Sequence, residues 1–234
     1  MMRLFRIILV LGAVGGLGYG GFVVLGSVPF KLTTVEVVGV SDRVSSEEIV
    51  AVSGLTKGDH LLRISGRDVE KSTLKIPWID AVRVERILPS KIRLTLGFRV
   101  ASLVAISGGR SFLIDASGVV LEEDHEPLVT FTGLPESELI PGRRLTLSAF
   151  ENASAVLGSL PTALRPRVKE MRAASVDRVG VELADGTLLL YGAAKELELK
   201  NFAVQALMEK YAAEGRAVVS IDVRVPSRPA VKLR

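Results

Sequence analysis

Few residues of this chain have the types and spacing that catalysis or metal binding requires. The only dense acidic stretch is Glu122–Glu126, in which His125 is the single non-acidic member. Its spacing does not match a calcium loop, so we interpret the stretch as a solvated turn between strands. His60 is the only other histidine, and the chain has no cysteine. Disulfides, thiolate zinc sites and cysteine nucleophiles are therefore excluded.

Sequence motifs of the common enzyme classes are also missing. The chain has no P-loop lysine motif, no H-E-x-x-H and no G-x-S-x-G. The pattern Gly16-x-Gly18-x-x-Gly21 matches the dinucleotide-binding fingerprint. We do not interpret it as a nucleotide site, because it lies within an apolar run and no strand precedes it. We predict no catalytic residue, no metal ligand, no cofactor and no small-molecule substrate. Paired carboxylates, as in glycosidases, stay an open alternative, although no particular pair stands out.

The charge balance argues against nucleic acid as a partner. The 30 basic and 26 acidic residues give a net charge of +4, and only 5% of the residues are aromatic. A nucleic-acid-binding surface normally combines a strong basic patch with aromatic side chains. Together with the absence of cysteine and the low histidine count, this composition also argues against an enzyme.

The longest uncharged segment runs over 24 residues, from Ile7 to Phe30. As a helix it extends roughly 36 Å, which exceeds the hydrocarbon thickness of about 30 Å. Because Arg3 and Arg6 precede it, we predict a cytoplasmic tail at 1–6, a transmembrane signal anchor at 7–30, and an extracytoplasmic remainder. A cleaved signal peptide is the alternative. Its apolar region is usually about 7 to 15 residues long, and no A-x-A site closes this run.

Glycines in this segment suggest a helix-packing surface. Gly12, Gly16 and Gly20 recur every fourth residue and form a ridge of small residues. Such a ridge lets a second membrane helix approach closely, so we predict helix packing through these three positions. The alternative is a glycine-rich span without a partner.

Two α+β domains are predicted after the anchor. Residues 31–103 predict a small βααββ domain, in which Ser45 and Ser65 cap the helices and Ile92, Leu94 and Leu96 alternate with charged residues. Residues 104–234 predict a second domain with an antiparallel sheet and two helices. Its predicted elements are a hairpin at 112–121, a helix capped by Ser148 and Glu151, strands at 168–175, 179–183 and 187–191, a helix at 195–213, and strands at 218–225 and 230–233.

Several of these segments resemble one known family. The texts VEVVGV, GDHLLRI and IPWIDAVRVERILPSKIRLTL resemble a polypeptide-transport-associated (POTRA) domain. A POTRA domain directly after one membrane anchor resembles the FtsQ/DivIB cell-division family. The segments FLIDASGVVL and IDVRVPSRPAVKLR extend the resemblance to the end of the chain.

The resemblance implies a non-enzymatic assembly protein of the division machinery. It implies a single-pass protein of the cytoplasmic (inner) membrane at the division septum, with its C-terminus in the periplasm. Implied partners are other division proteins, in particular the small coiled-coil proteins FtsB and FtsL or a DivIC counterpart, bound by β-strand addition at the C-terminal sheet edge. Carried onto this chain, the protein-binding residues are Ser220, Ile221, Asp222, Val223, Arg224, Val225 and Ser227.

One departure from the family pattern concerns the end of the chain. Pro226 and Pro229 follow the predicted edge strand and remove two backbone donors, so the edge is shorter or the partner pairs beyond it. Two other functions stay open. One is a membrane-anchored periplasmic cell-wall hydrolase, and the other is a POTRA-containing outer-membrane assembly factor, which would carry several POTRA units before a β-barrel.

Overall fold

The computed structural model describes residues 30–39 and 41–234 of the chain. The predicted anchor, apart from Phe30, and its glycines Gly12, Gly16 and Gly20 lie outside these ranges. Within them, no helix combines the length and the apolar character that crossing a bilayer needs. The chain divides into two compact units between Phe98 and Arg99.

The first unit is a three-stranded sheet with two helices. Its elements are β1 (Thr34–Val38), α1 (Ser46–Ser53), a 3-10 turn at Leu61–Arg63, α2 (Gly66–Thr73), β2 (Ile79–Ile87) and β3 (Lys91–Phe98). The strand order is β1-β3-β2, in which β1 runs parallel and β2 antiparallel to β3. The predicted succession of one strand, two helices and two strands is confirmed.

Side-chain caps determine where both helices of the first unit begin. Ser45 Oγ accepts a hydrogen bond from the Glu48 N–H at 3.1 Å, and Ser65 Oγ accepts one from the Asp68 N–H at 3.3 Å. Each cap satisfies a donor that the first turn of a helix leaves unpaired. Gly54 ends α1 in the left-handed conformation. These boundaries agree with those predicted from the sequence.

The core of the first unit lies between the helices and one face of the sheet. Ile92 and Leu94 of β3 are fully buried, whereas Lys91 on the alternate face is exposed. The helices contribute Ile49 and Val69, which are also buried. This alternation with a period of two is the signature of a strand with one covered face.

The second unit is a nine-stranded sheet with two main helices. Its strands are β4 (Ala101–Ser107), β5 (Arg110–Asp115), β6 (Val120–Glu123), β7 (Val129–Thr132), β8 (Val168–Ala173), β9 (Val179–Leu183), β10 (Leu188–Leu190), β11 (Val218–Asp222) and β12 (Ala230–Leu233). Its helices are α3 (Ser148–Ser159) and α4 (Leu197–Ala213), with 3-10 turns at Glu136–Glu138 and Arg165–Arg167. The strand order is β12-β11-β10-β9-β8-β7-β4-β5-β6. The domain boundary predicted between residues 103 and 104 falls inside β4.

The α+β class is confirmed, but the predicted purely antiparallel sheet is wrong. Strand β7 runs parallel to both β4 and β8, and β10 runs parallel to β11. Parallel neighbours need a crossover connection, and α3 supplies it between β7 and β8 while α4 supplies it between β10 and β11. Both helices belong to these crossovers, so the sheet has to be mixed.

The capping box predicted at Ser148 and Glu151 is also wrong. The N-cap residue of α3 is Leu147, whose carbonyl accepts the Glu151 N–H at 3.0 Å, and Ser148 is already helical. Leu147 packs against the hydrophobic core of the second unit. Burial of this leucine therefore starts the helix one residue earlier than the polar pattern indicates.

Asp115 organises the turn between β5 and β6. Its carboxylate accepts hydrogen bonds from the Val119 N–H at 2.8 Å, the Ser117 N–H at 2.9 Å and Arg99 Nη1 at 2.7 Å. Gly118 adopts a φ of +84°, which residues with a Cβ rarely adopt. Burial alone raises the pKa of Asp115, but the Arg99 guanidinium and the N–H donors outweigh burial and hold this pKa below its usual value. The FLIDASGVVL segment is thus a turn built around a charged carboxylate.

A buried polar network holds α4 in place. Lys200 Nζ donates to the carbonyl oxygens of Tyr191 at 2.8 Å and Ala193 at 2.7 Å. The Tyr191 hydroxyl donates to Asn201 Oδ1 at 2.7 Å, and Asn201 Nδ2 donates to the Ser159 carbonyl at 2.8 Å. Burial lowers the pKa of Lys200 and raises the pKa of Tyr191. These bonds fix the N-terminal half of α4 and therefore which of its residues face outward.

Replacing Asp115 with Asn removes the charge and keeps the size of the side chain. The folded-state pKa of Asp115 is depressed, so its stabilisation is fully present above the unfolded pKa and disappears as pH falls through the folded one. We expect Asp115→Asn to lower the free energy of unfolding by about 2 kcal/mol at pH 7. The difference from wild type should shrink below about pH 4. Urea unfolding of the full chain in detergent, followed by circular dichroism at pH 7 and pH 3, measures both values; an equal difference at both would contradict this role.

Replacing Asn201 with Ala leaves the Tyr191 hydroxyl without its acceptor and the Ser159 carbonyl without its donor. We expect the free energy of unfolding to fall by about 1–3 kcal/mol, because both groups would be buried and unpaired. The matched control is Phe202→Ala, one position along α4, where the side chain is 73% exposed. The control should change stability by less than about 0.5 kcal/mol. Equal losses in the two variants, measured by urea unfolding, would argue against the network.

Candidate protein-interaction surface

Strand β12 forms one end of the nine-stranded sheet. It pairs antiparallel with β11 on one side. In the described ranges, 30–39 and 41–234, no strand pairs with its other side. An edge of this kind presents backbone N–H and C=O groups that an additional strand can bond.

The hydrogen bonds of β12 show which of its residues face the open side. The Arg234 N–H donates to the Ala217 carbonyl at 3.0 Å, so Arg234 bonds toward β11. Because inward and outward residues alternate in an antiparallel ladder, Val231 and Leu233 direct their N–H and C=O groups outward. The Val231 side chain packs against the core, whereas the Lys232 side chain is exposed. The backbone of Val231 and Leu233 is therefore the part of β12 that is available to a partner strand.

The opposite end of the sheet, β6, is covered by its own chain. The Val120 N–H donates to the Arg143 carbonyl at 2.9 Å, and the Gly142 N–H donates to the Val120 carbonyl at 2.8 Å. Just before β6, the Leu145 N–H donates to the Gly118 carbonyl at 2.9 Å. The 142–145 segment thus occupies the positions that a partner strand would need, so β6 and β12 are not equivalent as docking sites.

An apolar groove of about 620 Å³ runs between α4 and the connection from β11 to β12. On the helix side, Phe202 is 73% exposed and Leu199 is 58% exposed. On the side of the connection, Val225 is 57% exposed and lies beside Pro226 and Pro229. We call these five residues the α4 groove. Contiguous exposed apolar side chains of this kind are typical of interaction sites.

The structure places the first four predicted binding residues inside the sheet. Ser220, Ile221 and Asp222 end β11, which is hydrogen-bonded to β10 on one side and to β12 on the other. Val223 is fully buried, and its N–H donates to the Leu190 carbonyl at 3.0 Å. The prediction that this segment forms the sheet edge is therefore wrong.

The two prolines explain why the edge lies further along the chain. Pro226 and Pro229 both fall in the connection, where the Arg228 N–H closes a turn by donating to the Val225 carbonyl at 3.0 Å. This turn reverses the chain and adds β12 outside β11. The prolines therefore remove no donor from the strand that forms the edge.

The remaining predicted residues, Arg224, Val225 and Ser227, line the α4 groove. Arg224 also pairs with Asp222, since its Nε lies 3.0 Å from Oδ1 and its Nη2 lies 2.6 Å from Oδ2. Hydrogen bonds from Arg224 lower the pKa of Asp222 and keep this carboxyl ionised. The groove wall therefore carries a neutralised ion pair beside its apolar residues.

Sequence reasoning missed Leu199 and Phe202. The core-facing side of α4 carries Val204, which is fully buried, and Leu197, Leu207 and Met208, which are partly buried. Leu199 and Phe202 are three positions apart and lie off that face, so they form a second apolar stripe on the same helix. A large aromatic residue outside the core-facing stripe was the signal that could have identified the groove.

The acidic stretch begins at the end of β6. Glu122 and Glu123 end β6, and Arg110 Nε donates to Glu123 Oε1 at 2.9 Å, which lowers the pKa of Glu123. Arg110 Nη1 also donates to Glu136 Oε1 at 2.9 Å. Across residues 30–39 and 41–234, no group of three or more His, Asp or Glu side chains could hold a metal ion.

Two family models match the chain, and their junction agrees with the division into two units. The model described as POTRA domain, FtsQ-type, matches residues 30–97. The model described as Cell division protein FtsQ/DivIB, C-terminal, matches residues 103–224. The second match ends before β12 and includes Leu199 and Phe202 of the α4 groove.

Sequence relatives agree with these matches. The chain is 30% identical to the cell division protein FtsQ of Streptomyces griseus over 164 residues, which cover 67% of this chain and 75% of that protein. It is 27% identical over 220 residues to the FtsQ of Chloroflexus aurantiacus, covering 91% of this chain and 77% of the relative. The major extracytoplasmic domain of the trans isomer of DivIB from Geobacillus stearothermophilus is 17% identical, with a TM-score of 0.31 over 48% of this chain and 95% of that structure. The family models and the sequence relatives together show that the chain belongs to the FtsQ/DivIB family of cell division proteins.

Proposed function

We propose that this chain is a non-enzymatic assembly protein of the division machinery that binds its partner by β-strand addition at β12. The observation that carries the proposal is the open backbone of Val231 and Leu233, placed beside the apolar α4 groove. An incoming strand gains main-chain hydrogen bonds from these residues, and pockets for its alternate side chains give specificity. Pro229, the residue before β12, lines the groove, so an apolar side chain of the incoming segment can enter it.

The partner that the family resemblance implies fits the chemistry of this surface. Small single-span coiled-coil proteins such as FtsB and FtsL, or a DivIC counterpart, can supply an extended segment together with apolar side chains. The edge provides hydrogen bonds to any extended backbone, whereas Phe202 and Leu199 provide the apolar contact that favours one partner. In this proposal, Arg224, Val225 and Ser227 contact the partner, and Ser220, Ile221, Asp222 and Val223 support the edge from inside the sheet.

The proposed location is the cytoplasmic membrane at the septum. Residues 1–6 lie in the cytoplasm, residues 7–30 anchor the protein in the bilayer, and the chain from residue 31 onward is extracytoplasmic. The uncharged run of 24 residues and the preceding Arg3 and Arg6 support this topology. The partner-binding edge then lies on the periplasmic side, with a first domain at 31–103 and a second at 104–234.

The first test removes one outward N–H of β12. Val231→Pro deletes that donor and leaves the ladder to β11 intact, because the Val231 N–H does not bond inward. Val231→Ala is the matched control, since it shortens the same side chain and keeps the N–H. We expect Val231→Pro to lower the recovery of the FtsB- and FtsL-like proteins at least about tenfold and Val231→Ala to lower it far less. Affinity purification of the tagged full chain from detergent-solubilised membranes, with quantitative mass spectrometry, measures the recovery.

Circular dichroism of both Val231 variants controls for folding. If folded Val231→Pro captures the partners as well as Val231→Ala does, strand addition at β12 is wrong. If folded wild type captures no small coiled-coil division protein, the proposed partner class is wrong.

The second test concerns the α4 groove. Phe202→Ser removes an exposed aromatic anchor, and we expect it to weaken partner affinity by about 2 kcal/mol, roughly 30-fold. Val100→Ser is the control, because Val100 is 77% exposed but precedes β4, far along the sheet order from β12. Titration of the purified chain with the partner's extracytoplasmic segment gives both affinities. Equal affinities for the two variants would exclude the groove from the interface.

A further inference from the structure

The end of the first unit at which the described chain begins carries a mixed basic and apolar surface. We call it the anchor-proximal end. It comprises Lys31, Lys57, Leu62, Arg63, Leu88 and Lys91, all of which are exposed. The opposite end of the same unit, where β1 and β3 finish, includes Val38 and Lys75. These two residues serve as control positions in the experiments below.

Backbone hydrogen bonds bring three separate segments together at the anchor-proximal end. The Leu32 N–H donates to the Asp59 carbonyl at 2.8 Å, and the Gly58 N–H donates to the Leu32 carbonyl at 2.8 Å. The Thr33 N–H donates to the Ser90 carbonyl at 2.9 Å. The loop after α1 and the turn between β2 and β3 therefore both lie beside the residues that follow Phe30.

Phe30 connects this end to the proposed membrane anchor. It is the last residue of the uncharged run, and its ring stacks on His60 with a centroid distance of 6.3 Å. A chain advances at most about 3.6 Å per residue. Lys31, Leu32 and Thr33 thus lie within about 11 Å of the point where the chain leaves the bilayer. The two loops are hydrogen-bonded to Leu32 and Thr33.

The side chains at this end suit a phospholipid surface. Leu62 is 47% exposed and Leu88 is 60% exposed, although each is large and apolar. Arg63 follows Leu62, Lys91 follows the turn that contains Leu88, and Lys57 lies in the loop after α1. Within the described residues, none of these three cations forms an ion pair with Asp or Glu. Asp59, the acidic residue of the loop, accepts the Thr56 N–H at 3.0 Å. Apolar side chains flanked by lysine and arginine are typical of proteins that lie on an anionic bilayer.

We propose that the anchor-proximal end rests on the extracytoplasmic surface of the bilayer, with Leu62 and Leu88 entering the headgroup layer. Lys31, Lys57, Arg63 and Lys91 bind the phosphates of anionic phospholipids. This proposal rests on the proposed membrane anchor and is independent of the partner site at β12. The short tether keeps Lys31, one residue after Phe30, within about one Debye length, 8 Å at physiological salt, of the lipid charge. The contact fixes the orientation of the first unit relative to the membrane.

The absence of cysteine from the chain allows a direct test with single labels. Leu62→Cys, Leu88→Cys and the reference Val38→Cys are each labelled with a polarity-sensitive fluorophore in the full chain. Val38 is 39% exposed and ends β1, whereas the anchor-proximal end lies at the start of that strand. The labelled chains are reconstituted into vesicles of phosphatidylcholine, with or without phosphatidylglycerol, that contain lipids spin-labelled near the headgroup. We expect quenching at positions 62 and 88 to exceed that at 38 at least about threefold in the anionic vesicles.

Charge reversal tests the basic residues separately. The double variant Lys57→Glu with Lys91→Glu should reduce quenching at position 62 at least about twofold in anionic vesicles. The control Lys75→Glu, at the opposite end of the unit, should leave this quenching unchanged. Equal quenching at positions 38, 62 and 88 in chains that stay in the vesicles after an alkaline wash would overturn the lipid contact. Chains that wash out would overturn the membrane anchor itself, whereas neither result bears on partner binding at β12.

Discussion

Backbone hydrogen bonding at the ends of a sheet is the constraint on which the second unit depends. Each N–H and C=O group of an edge strand needs a partner, water or a covering segment. At β6 the chain supplies the cover, since Val120 bonds to the 142–145 segment. At β12 it supplies none among the described residues, and an apolar groove lies beside the open backbone. The difference between β6 and β12 therefore identifies the β12 edge and its groove as the candidate interaction surface.

The polar network under α4 is the second element that shapes this surface. Lys200 and Asn201 are buried, and burying an ammonium group costs free energy unless carbonyl oxygens compensate for the lost water. The carbonyls of Tyr191 and Ala193 give that compensation. Lys200 and Asn201 are both fixed inward by their bonds, so Leu199 and Phe202, one position to either side, point away from the core. An interior hydrogen-bond network thereby determines which aromatic side chain faces a partner.

The first unit is stabilised differently from the second. Its core is a small layer of aliphatic side chains between two capped helices and one face of the sheet. Among its described residues, the polar and charged side chains form no comparable buried network, and its distinctive surface is the anchor-proximal end. There, backbone bonds from Leu32 and Thr33 hold two loops against the beginning of the chain. The lipid contact proposed for this end depends on the proposed anchor, whereas the partner contact proposed for β12 depends on strand order.

Features set by residues close in sequence could be predicted from the sequence. The caps at Ser45 and Ser65, the end of α1 at Gly54 and the alternation of Ile92 with its neighbours all depend on local backbone chemistry and a period of two. The start of α3 at Leu147 could not be predicted, because core burial overrode the polar pattern around Ser148. The mixed character of the sheet was likewise missed, since strand periodicity does not reveal which strand lies next to which.

The sequence by itself therefore determined the helices, the strands, the family resemblance and the absence of cysteine chemistry. Only the tertiary structure decided that β11 is an inner strand, that Val223 is buried and that β12 forms the edge. A strand has the same alternation of apolar and polar residues whether one or both of its edges are hydrogen-bonded. Its sequence therefore does not show which strands lie beside it. The groove position of Leu199 and Phe202 could not be predicted from the sequence either. It depends on the connection from β11 to β12, which folding brings opposite α4.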